Sequence, residues 1–498
     1  MTTLLIVLPL AAALVIWVLP LNDVSAGALA LLAALTEVGI WIQLVARYDF
    51  GRGGLQFAQQ WNWFRDLHVS YHVGVYGFSV WLIGLTVIAM AAAIAYGFWA
   101  GRDRMRAYLG LMLFLTGAVV GVFTAQDLLL FYAFFEAMMI PLYVLVGVWG
   151  GPGRMAATLK FVLFTMAGSL LMLASIVVYG LSQNTFDLVQ IGQSSSNWIF
   201  LGFVAAFAIK APLFPLHGWL PDAYRESSPE VAAILSGVVS KAAAYGFLRI
   251  AIAKFPEPAQ HYRATILALA AIGLIYGSLL AFRAPDIRGV IAYSSLAQMG
   301  LITMGVFSVN DLGLNGAVLL MVSHGLVSTT LFLLAGMVER RALTGELARL
   351  GGMARGRPVL ATVLLTTGVI ALSVPLSSGF AGEFLILAGV FRHGWGWSAV
   401  GAVALVLAAA YVLRLVSAIL HRDIGPAVSD AALDLRPAEL GVVVPLVACL
   451  LALSAWPAAI SDRAFAGDQP KRSVSTELAG PPEVGGPIKV IRIVRQSG

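Results

Sequence analysis

Runs of about twenty consecutive apolar residues follow one another along almost the whole chain, separated by short links of Gly, Pro and Arg. A run of that length is what a helix needs to cross the roughly 30 Å hydrocarbon core of a bilayer while satisfying its own backbone N–H and C=O groups. Strands of a membrane β-barrel would alternate apolar and polar positions over about 10 residues, whereas these runs are continuous and about twice as long. With 60% of its 498 residues hydrophobic and only 11% charged, the chain has too little polar surface to wrap a water-soluble domain of this size. The pattern predicts an all-α polytopic membrane protein and excludes a soluble enzyme.

Counting the runs gives about fourteen transmembrane helices, centred near residues 11, 35, 87, 114, 137, 168, 206, 240, 272, 297, 325, 374, 408 and 449. The first, over residues 4–19, has no Lys or Arg before it and is read as a helix rather than a signal peptide. Links after odd-numbered helices hold about 16 Lys and Arg against about 7 after even-numbered ones, which places the odd links in the cytoplasm and both termini outside. The polar link over residues 48–72, with its Trp, Phe and Gln, then reads as a packed external loop. The tail from Asp462, rich in Pro, Gly and Ser and carrying Lys471, Arg472, Lys489, Arg492 and Arg495, reads as flexible or docked on a neighbour.

The single cysteine, Cys449, excludes an intrachain disulfide and a Cys-ligated zinc or iron–sulfur site, so any redox centre belongs to other chains. The formal charge of +6 comes mainly from arginine, 25 of 31 basic residues, with no basic patch interleaved with aromatics; it reads as topology, and nucleic acid is excluded as a partner.

Charges inside the spans point to function, because an ionised group mid-bilayer costs roughly 2.5–3.5 kcal/mol and has to face protein or water. Lys241 lies in the middle of AAILSGVVSKAAAYGFL, and Lys210 ends WIFLGFVAAFAIK directly before Pro212 and Pro215, which remove backbone donors and break that helix. Glu136 lies nine residues, or ~13 Å, beyond the boundary residue Asp127 in DLLLFYAFFEAMMIPLYVLVGVW. Glu383 follows SVPLSSGFAG, so a second helix is interrupted beside a titratable group, about 170 residues after the first break. Paired broken helices in the two halves are the pointer to inverted repeats with a pathway between them. His324, with Ser323, Ser328 and Thr329 beside it, is suited to pass a proton. Glu37 in helix 2 is a weaker candidate. Lys, Glu and His in this arrangement are proton carriers, and no clustered ligand spacing supports a tight metal site.

The ordered stretches DLLLFYAFFEAMMIPLYVLVGVWGG, KAPLFPLHGWLPDAYRESSPE, DIRGVIAYSSLAQMGL, LNGAVLLMVSHGLVSTTLFLLAG and SGFAGEFLIL resemble the antiporter-like subunits of respiratory complex I and the related Mrp-type cation/proton antiporters. The similarity runs over residues 127–414 and is strongest, through FFEAMMIP, to the M-type branch of NADH-quinone oxidoreductase. The resemblance implies fourteen helices with two inverted five-helix repeats, helices 4–8 within residues 105–255 and helices 9–13 within 256–422. Broken helices 7 and 12 belong to these repeats. Three helices precede them over residues 1–104, and helix 14 over 423–461 and the tail over 462–498 follow. It further implies that Glu136 pairs with Lys210, that Lys241 and His324 lie on the central axis, and that Glu383 ends the proton path.

The expected function is proton translocation by a chain with no redox centre. NADH, FMN, iron–sulfur clusters and quinone would be handled by partner subunits. The expected partners are L-type and N-type antiporter-like chains and small membrane subunits in a bacterial cytoplasmic (inner) membrane. The alternative is the D-type chain of a multisubunit Mrp-type sodium/proton antiporter. Two positions depart from the family: Arg288 hardly deprotonates and Gln298 cannot titrate, so transfer there has to go by water. Glu226 and Glu230, in a loop that also departs from the usual pattern, are expected to be solvated loop charges, the alternative being that they feed protons from the cytoplasmic side.

Overall fold

In the computed structural model, which describes residues 1–64, 66, 68–429 and 433–468, the chain is mostly helical. Eleven helices among the described residues are long and apolar enough to cross a membrane, and four shorter apolar helices accompany them: Thr2–Val18, Asn197–Lys210, Pro358–Ala371 and Ser378–Phe391. Thirteen of the fourteen expected centres fall within helices; the other, at residue 374, falls in the break between Pro358–Ala371 and Ser378–Phe391.

Each interruption has a local cause. Helix Asn197–Lys210 stops at Ala211, and Pro212 and Pro215 cannot donate the backbone bonds that would continue it; Phe214–Pro215 is a cis peptide. Pro375 stands in the second break. Pro141 accounts for a milder one, because its ring crowds the carbonyl four residues back and the span Leu128–Trp149 resets at Met138.

The expectation of an all-α chain needs one correction. Residues 48–76 hold an antiparallel hairpin, β1 (Gln56–Phe64) and β2 (Val69–Val75). In β2 valines and Tyr71 alternate with Ser70, His72 and Gly74, the period of two that a strand requires. The hairpin is pinned to the N-terminus of the chain, where Thr2 Oγ1 donates to the Phe57 carbonyl (2.9 Å) and Tyr71 Oη to Thr3 Oγ1 (3.2 Å).

The links sort onto two faces. On the hairpin face, Gln126 N donates to His72 O (2.8 Å), Leu188 N to Gln126 O (2.7 Å) and Ser194 N to Lys254 O (2.9 Å), tying four links together. On the opposite face arginines form ion pairs: Arg102–Glu230, Arg225–Asp286, Arg288–Glu339 and Arg341–Glu439. The arginines that read as topology markers therefore also fasten the loops. The first part of the tail is packed rather than flexible: Ala464 is buried and the Phe465 ring stacks on Phe78 at 5.2 Å. The remainder of the tail, including Lys471, Arg472, Lys489, Arg492 and Arg495, lies outside the described residues.

Two spans are enclosed by protein on every side, Pro229–Ile252 and Asp311–Ala342. They are the spans that carry Lys241 and His324, and they touch backbone to backbone. A Cβ at Gly237 would lie 2.9 Å from the Gly325 carbonyl, and one at Gly325 would lie 2.7 Å from the Gly237 carbonyl. Small residues that let helices approach this closely are the usual device for packing within a membrane, where apolar surface alone gives no preference for protein over lipid.

Candidate functional site

The close approach at Gly237 and Gly325 brings the two charged candidates of the core into contact. Lys241 Nζ lies 2.8 Å from His324 Nδ1 and donates to the Ser236 carbonyl (2.7 Å) and to Ser240 Oγ (3.3 Å). The backbone just before Lys241, Leu235–Val239, is π-helical, a widened turn common at functional sites. Both groups are buried, and two like charges 2.8 Å apart would repel strongly, which disfavours both being charged at once; with the amine charged, the imidazole nitrogen can accept from it.

A hydroxyl cluster surrounds this centre. Ser236 Oγ lies 2.6 Å from Ser295 Oγ and also bonds to Ser328, while Ser323 Oγ lies 2.8 Å from Ser378 Oγ. Thr329, expected beside His324 in the relay, instead donates to the Gly325 carbonyl of its own helix (2.8 Å). Beyond His324 a cavity of about 40 Å³ is lined by Ser323, Ser328, Gln298, Glu383 and Tyr411 among others, enough for a few water molecules. Glu383, 1% exposed, closes it: Gln298 Nε2 donates to Oε1 (3.0 Å), and Oε2 has no hydrogen-bond partner. Its helix, Ser378–Phe391, starts at the break, where Ser377 Oγ accepts from Phe380 N (3.2 Å).

The first half is less continuous. Lys210 Nζ donates to the Phe135 carbonyl (3.1 Å) and sits 3.8 Å from the centre of the Phe135 ring. Glu136 is half-buried with Oε1 unpartnered, and no ion pair to Lys210 is formed. The expected pair is therefore adjacent but open. No direct hydrogen bond links Lys210 to Lys241 among the described residues; Phe207 packs against Gly246 in that region, 2.4 Å from where a Cβ would be. Glu37 is fully buried with both oxygens unpartnered, on a helix apart from this axis.

Two expectations are corrected. Glu230 is not solvated: it is fully buried, receives Arg102 Nε and Nη2 at 2.7 and 2.8 Å, and accepts from Tyr108 Oη at 2.6 Å. Glu226 accepts from Gly153 N (2.8 Å) and clamps a neighbouring loop. Arg288 is held by Glu339, with Nε 2.8 Å from Oε1, and donates to the Arg225 carbonyl (3.0 Å), so it fastens loops and lies off the axis. Sequence reasoning also passed over Ser236, Ser295, Tyr411 and Arg249; serines and tyrosines in apolar runs carry no periodic signal, and only the packing shows which of them converge.

On the hairpin face, His72 Nδ1 lies 2.9 Å from Asp187 Oδ2. Burial pushes the Asp187 carboxyl up, but the His72 hydrogen bond and the amides of Val189 and Gln190 outweigh it and hold the group below its ordinary range.

Broken helices, intramembrane Lys, His and Glu on one axis, and a water-sized gap between them define an antiporter-like membrane subunit. Residues 125–408 match the family model described as NADH:quinone oxidoreductase/Mrp antiporter, transmembrane, and the chain belongs to that family. The chain is 35% identical to subunit M of the NADH-quinone oxidoreductase of Rhodobacter capsulatus, covering 91% of this chain and 93% of the relative. It is similar to a chain in respiratory complex I from Thermus thermophilus, with TM-score 0.86 and 32% identity over 94% of this chain and 98% of that one. It also shares its fold with a chain of the Mrp complex from Dietzia, with TM-score 0.84 and 21% identity over 94% and 96% of the two chains.

Proposed function

We propose that this chain is a proton-translocating membrane-arm subunit of an NADH-quinone oxidoreductase in a bacterial inner membrane. NADH, FMN, iron–sulfur and quinone chemistry would take place in partner chains, among them L-type and N-type antiporter-like subunits and small membrane subunits. The observation that carries the reading is the 2.8 Å contact between Lys241 and His324, continued by a water-sized cavity to Glu383. The subunit M relatives support this assignment over an Mrp-type antiporter, which shares the family model and the fold.

In this reading the eleven long spans, Thr2–Val18, the interrupted Asn197–Lys210 helix and the Pro358–Ala371/Ser378–Phe391 pair make fourteen crossings in two inverted repeats. The hairpin face is outside and the arginine-rich face cytoplasmic. A proton enters from the cytoplasm to the Lys241–His324 centre, crosses the cavity by water and leaves near Glu383. Lys210 exchanges its Phe135 carbonyl for Glu136, and that shift of charge alters how readily Lys241 holds its proton.

The test is NADH-driven proton uptake in inverted membrane vesicles. Lys241→Ala and Glu383→Gln should each abolish most of the pH gradient and depress coupled NADH oxidation. Wild-type pumping in both variants would refute the path. Capture of the tagged chain with flavin- and iron–sulfur-bearing subunits distinguishes complex I from an antiporter.

A further inference from the structure

Eight residues beyond Lys241 on the same helix, or ~12 Å nearer the hairpin face, stands Arg249. It is 8% exposed, and among the described residues its guanidinium has only neutral acceptors: Nη2 lies 3.1 Å from Tyr76 Oη, 2.9 Å from Gln126 Oε1 and 3.5 Å from the Leu188 carbonyl, with the Tyr76 ring 4.6 Å away. Nε is buried with no hydrogen-bond partner, and no carboxylate pairs with Arg249 among the described residues. A guanidinium keeps its charge at any accessible pH. A permanent cation without a carboxylate ion-pair partner among the described residues therefore sits between the Lys241 centre and the hairpin face.

What lies on the far side makes that position consequential. Gln126 joins the hairpin through His72, and Asp187, which His72 holds, lines a water-accessible pocket of about 300 Å³ with Gln60, His68, Ser70, Asn184 and Gln190; the next residue, Leu188, offers its carbonyl to Arg249. The charged groups next to Arg249 or its partners make their direct hydrogen bonds elsewhere. Asp187 is held by His72 (2.9 Å) and Gln60 (3.1 Å), Asp127 by the amides of Ser70, Leu129 and Leu130, and Lys254 by the Ile191 carbonyl (2.9 Å). Between Arg249 and Lys241 only Tyr245 intervenes on the helix face, packed by Phe78, Phe123 and Phe131 with ring centres 5.4 to 6.4 Å away. The buried Arg249 layer therefore stands between this pocket and the aromatic layer of Tyr245 that covers Lys241, on the side opposite the cavity that leads to Glu383.

We propose that Arg249 is an electrostatic seal: its fixed charge repels protons and other cations, closes the first half of the subunit to the hairpin face, and obliges protons held at Lys241 to leave through His324 and Glu383. A fixed positive group in a polar constriction is an established way to exclude cations while leaving polar packing intact. The inference rests on the proton-carrying reading of Lys241.

The experiment measures passive proton entry into liposomes holding the intact, resting complex, under a valinomycin-imposed potassium diffusion potential, with an enclosed pH dye. Arg249→Gln removes the charge, and Gln126→Glu cancels it with a carboxylate where Nη2 already bonds. Both should raise proton entry at least about tenfold over wild type while sparing NADH–quinone reductase activity in detergent, and adding Lys241→Ala to Arg249→Gln should restore tightness. If Arg249→Gln does not assemble, Gln126→Glu decides alone. Vesicles as tight as wild type, or a leak that survives Lys241→Ala, overturn the seal. Tight variants that still pump leave the proton-carrying reading standing, whereas normal pumping by Lys241→Ala alone sinks that reading whatever the leak.

Discussion

Gly237→Ala perturbs the helix contact that positions the Lys241–His324 pair without touching either side chain. The new methyl would lie 2.2 Å from Thr329 Oγ1 and 2.9 Å from the Gly325 carbonyl, against an ordinary contact of at least 3.4 Å. Thr329 can rotate, at the loss of its bond to the Gly325 carbonyl, but the backbone carbonyl cannot turn aside. The helices therefore have to separate by about 0.5 Å at this point, which takes the Lys241–His324 distance from 2.8 Å towards the limit of a hydrogen bond. Overpacking of this kind costs ~1–3 kcal/mol, and a weakened hydrogen bond to a charged group a further ~1.5–3 kcal/mol. If the second term enters the proton-transfer barrier, pumping should fall about tenfold to a hundredfold. The assay is NADH-driven quenching of a pH-sensitive dye in inverted vesicles, normalised to assembled complex. Gly441→Ala, where nothing lies within 4 Å of the added carbon, serves as the control and should pump normally. Adding Thr329→Ala to Gly237→Ala should recover part of the loss, since it removes the nearer clash. Wild-type pumping by Gly237→Ala would refute the claim that this contact sets the relay.

Other expectations follow from the same packing. Glu230→Ala strands Arg102 and Tyr108 on the arginine-rich face and should destabilise the subunit by ~3–5 kcal/mol, towards the lower end because the Arg102 side chain is 25% exposed to water. Native-gel assembly and thermal inactivation measure it; assembly and heat resistance equal to wild type would show that the pair contributes nothing. Gln298→Leu removes the Gln298 hydrogen bond to Glu383 Oε1 and should slow pumping about tenfold, while Gln298→His, which keeps a donor at the cavity, should retain most of it; equal rates in both would contradict the role of that donor. Asp187 is held below its ordinary range, so its contribution to the hairpin contact is present above the unfolded value near pH 4 and lost as the pH falls through the lower, folded value. Amide exchange in β2 should therefore accelerate on acidification below about pH 4 in wild type, and Asp187→Asn should abolish that dependence.

Much of the fold was legible because the bilayer imposes a simple rule, that each crossing satisfies its own backbone inside an apolar helix. That rule located the spans, and Pro212, Pro215 and Pro375 marked the two interruptions, where a missing N–H falls beside further helix-breaking residues, whereas Pro9 and Pro445 sit within helices that continue through them. The rarity of charge in the spans singled out Glu136, Lys210, Lys241, His324 and Glu383 before any packing was known. The hairpin escaped because its alternation sits inside a short polar link, where it competes with no bilayer constraint. Glu230 read as a loop charge because its partners, Arg102 and Tyr108, are more than a hundred residues away.

What the sequence determined by itself is therefore the set of elements and the groups that have no place in lipid. Tertiary structure alone decided which of those groups meet. Gly237 and Gly325 are ordinary glycines in apolar runs until the two enclosed helices cross at them, and it is that backbone contact which sets Lys241 2.8 Å from His324. Glu136 and Lys210 stay unpaired because the Phe135 carbonyl, beside the break that Pro141 forces, takes the lysine. Arg249 is set apart from the ion-paired arginines of the loops by hydrogen-bond acceptors that are all neutral among the described residues, a property of the folded surroundings that no local pattern encodes.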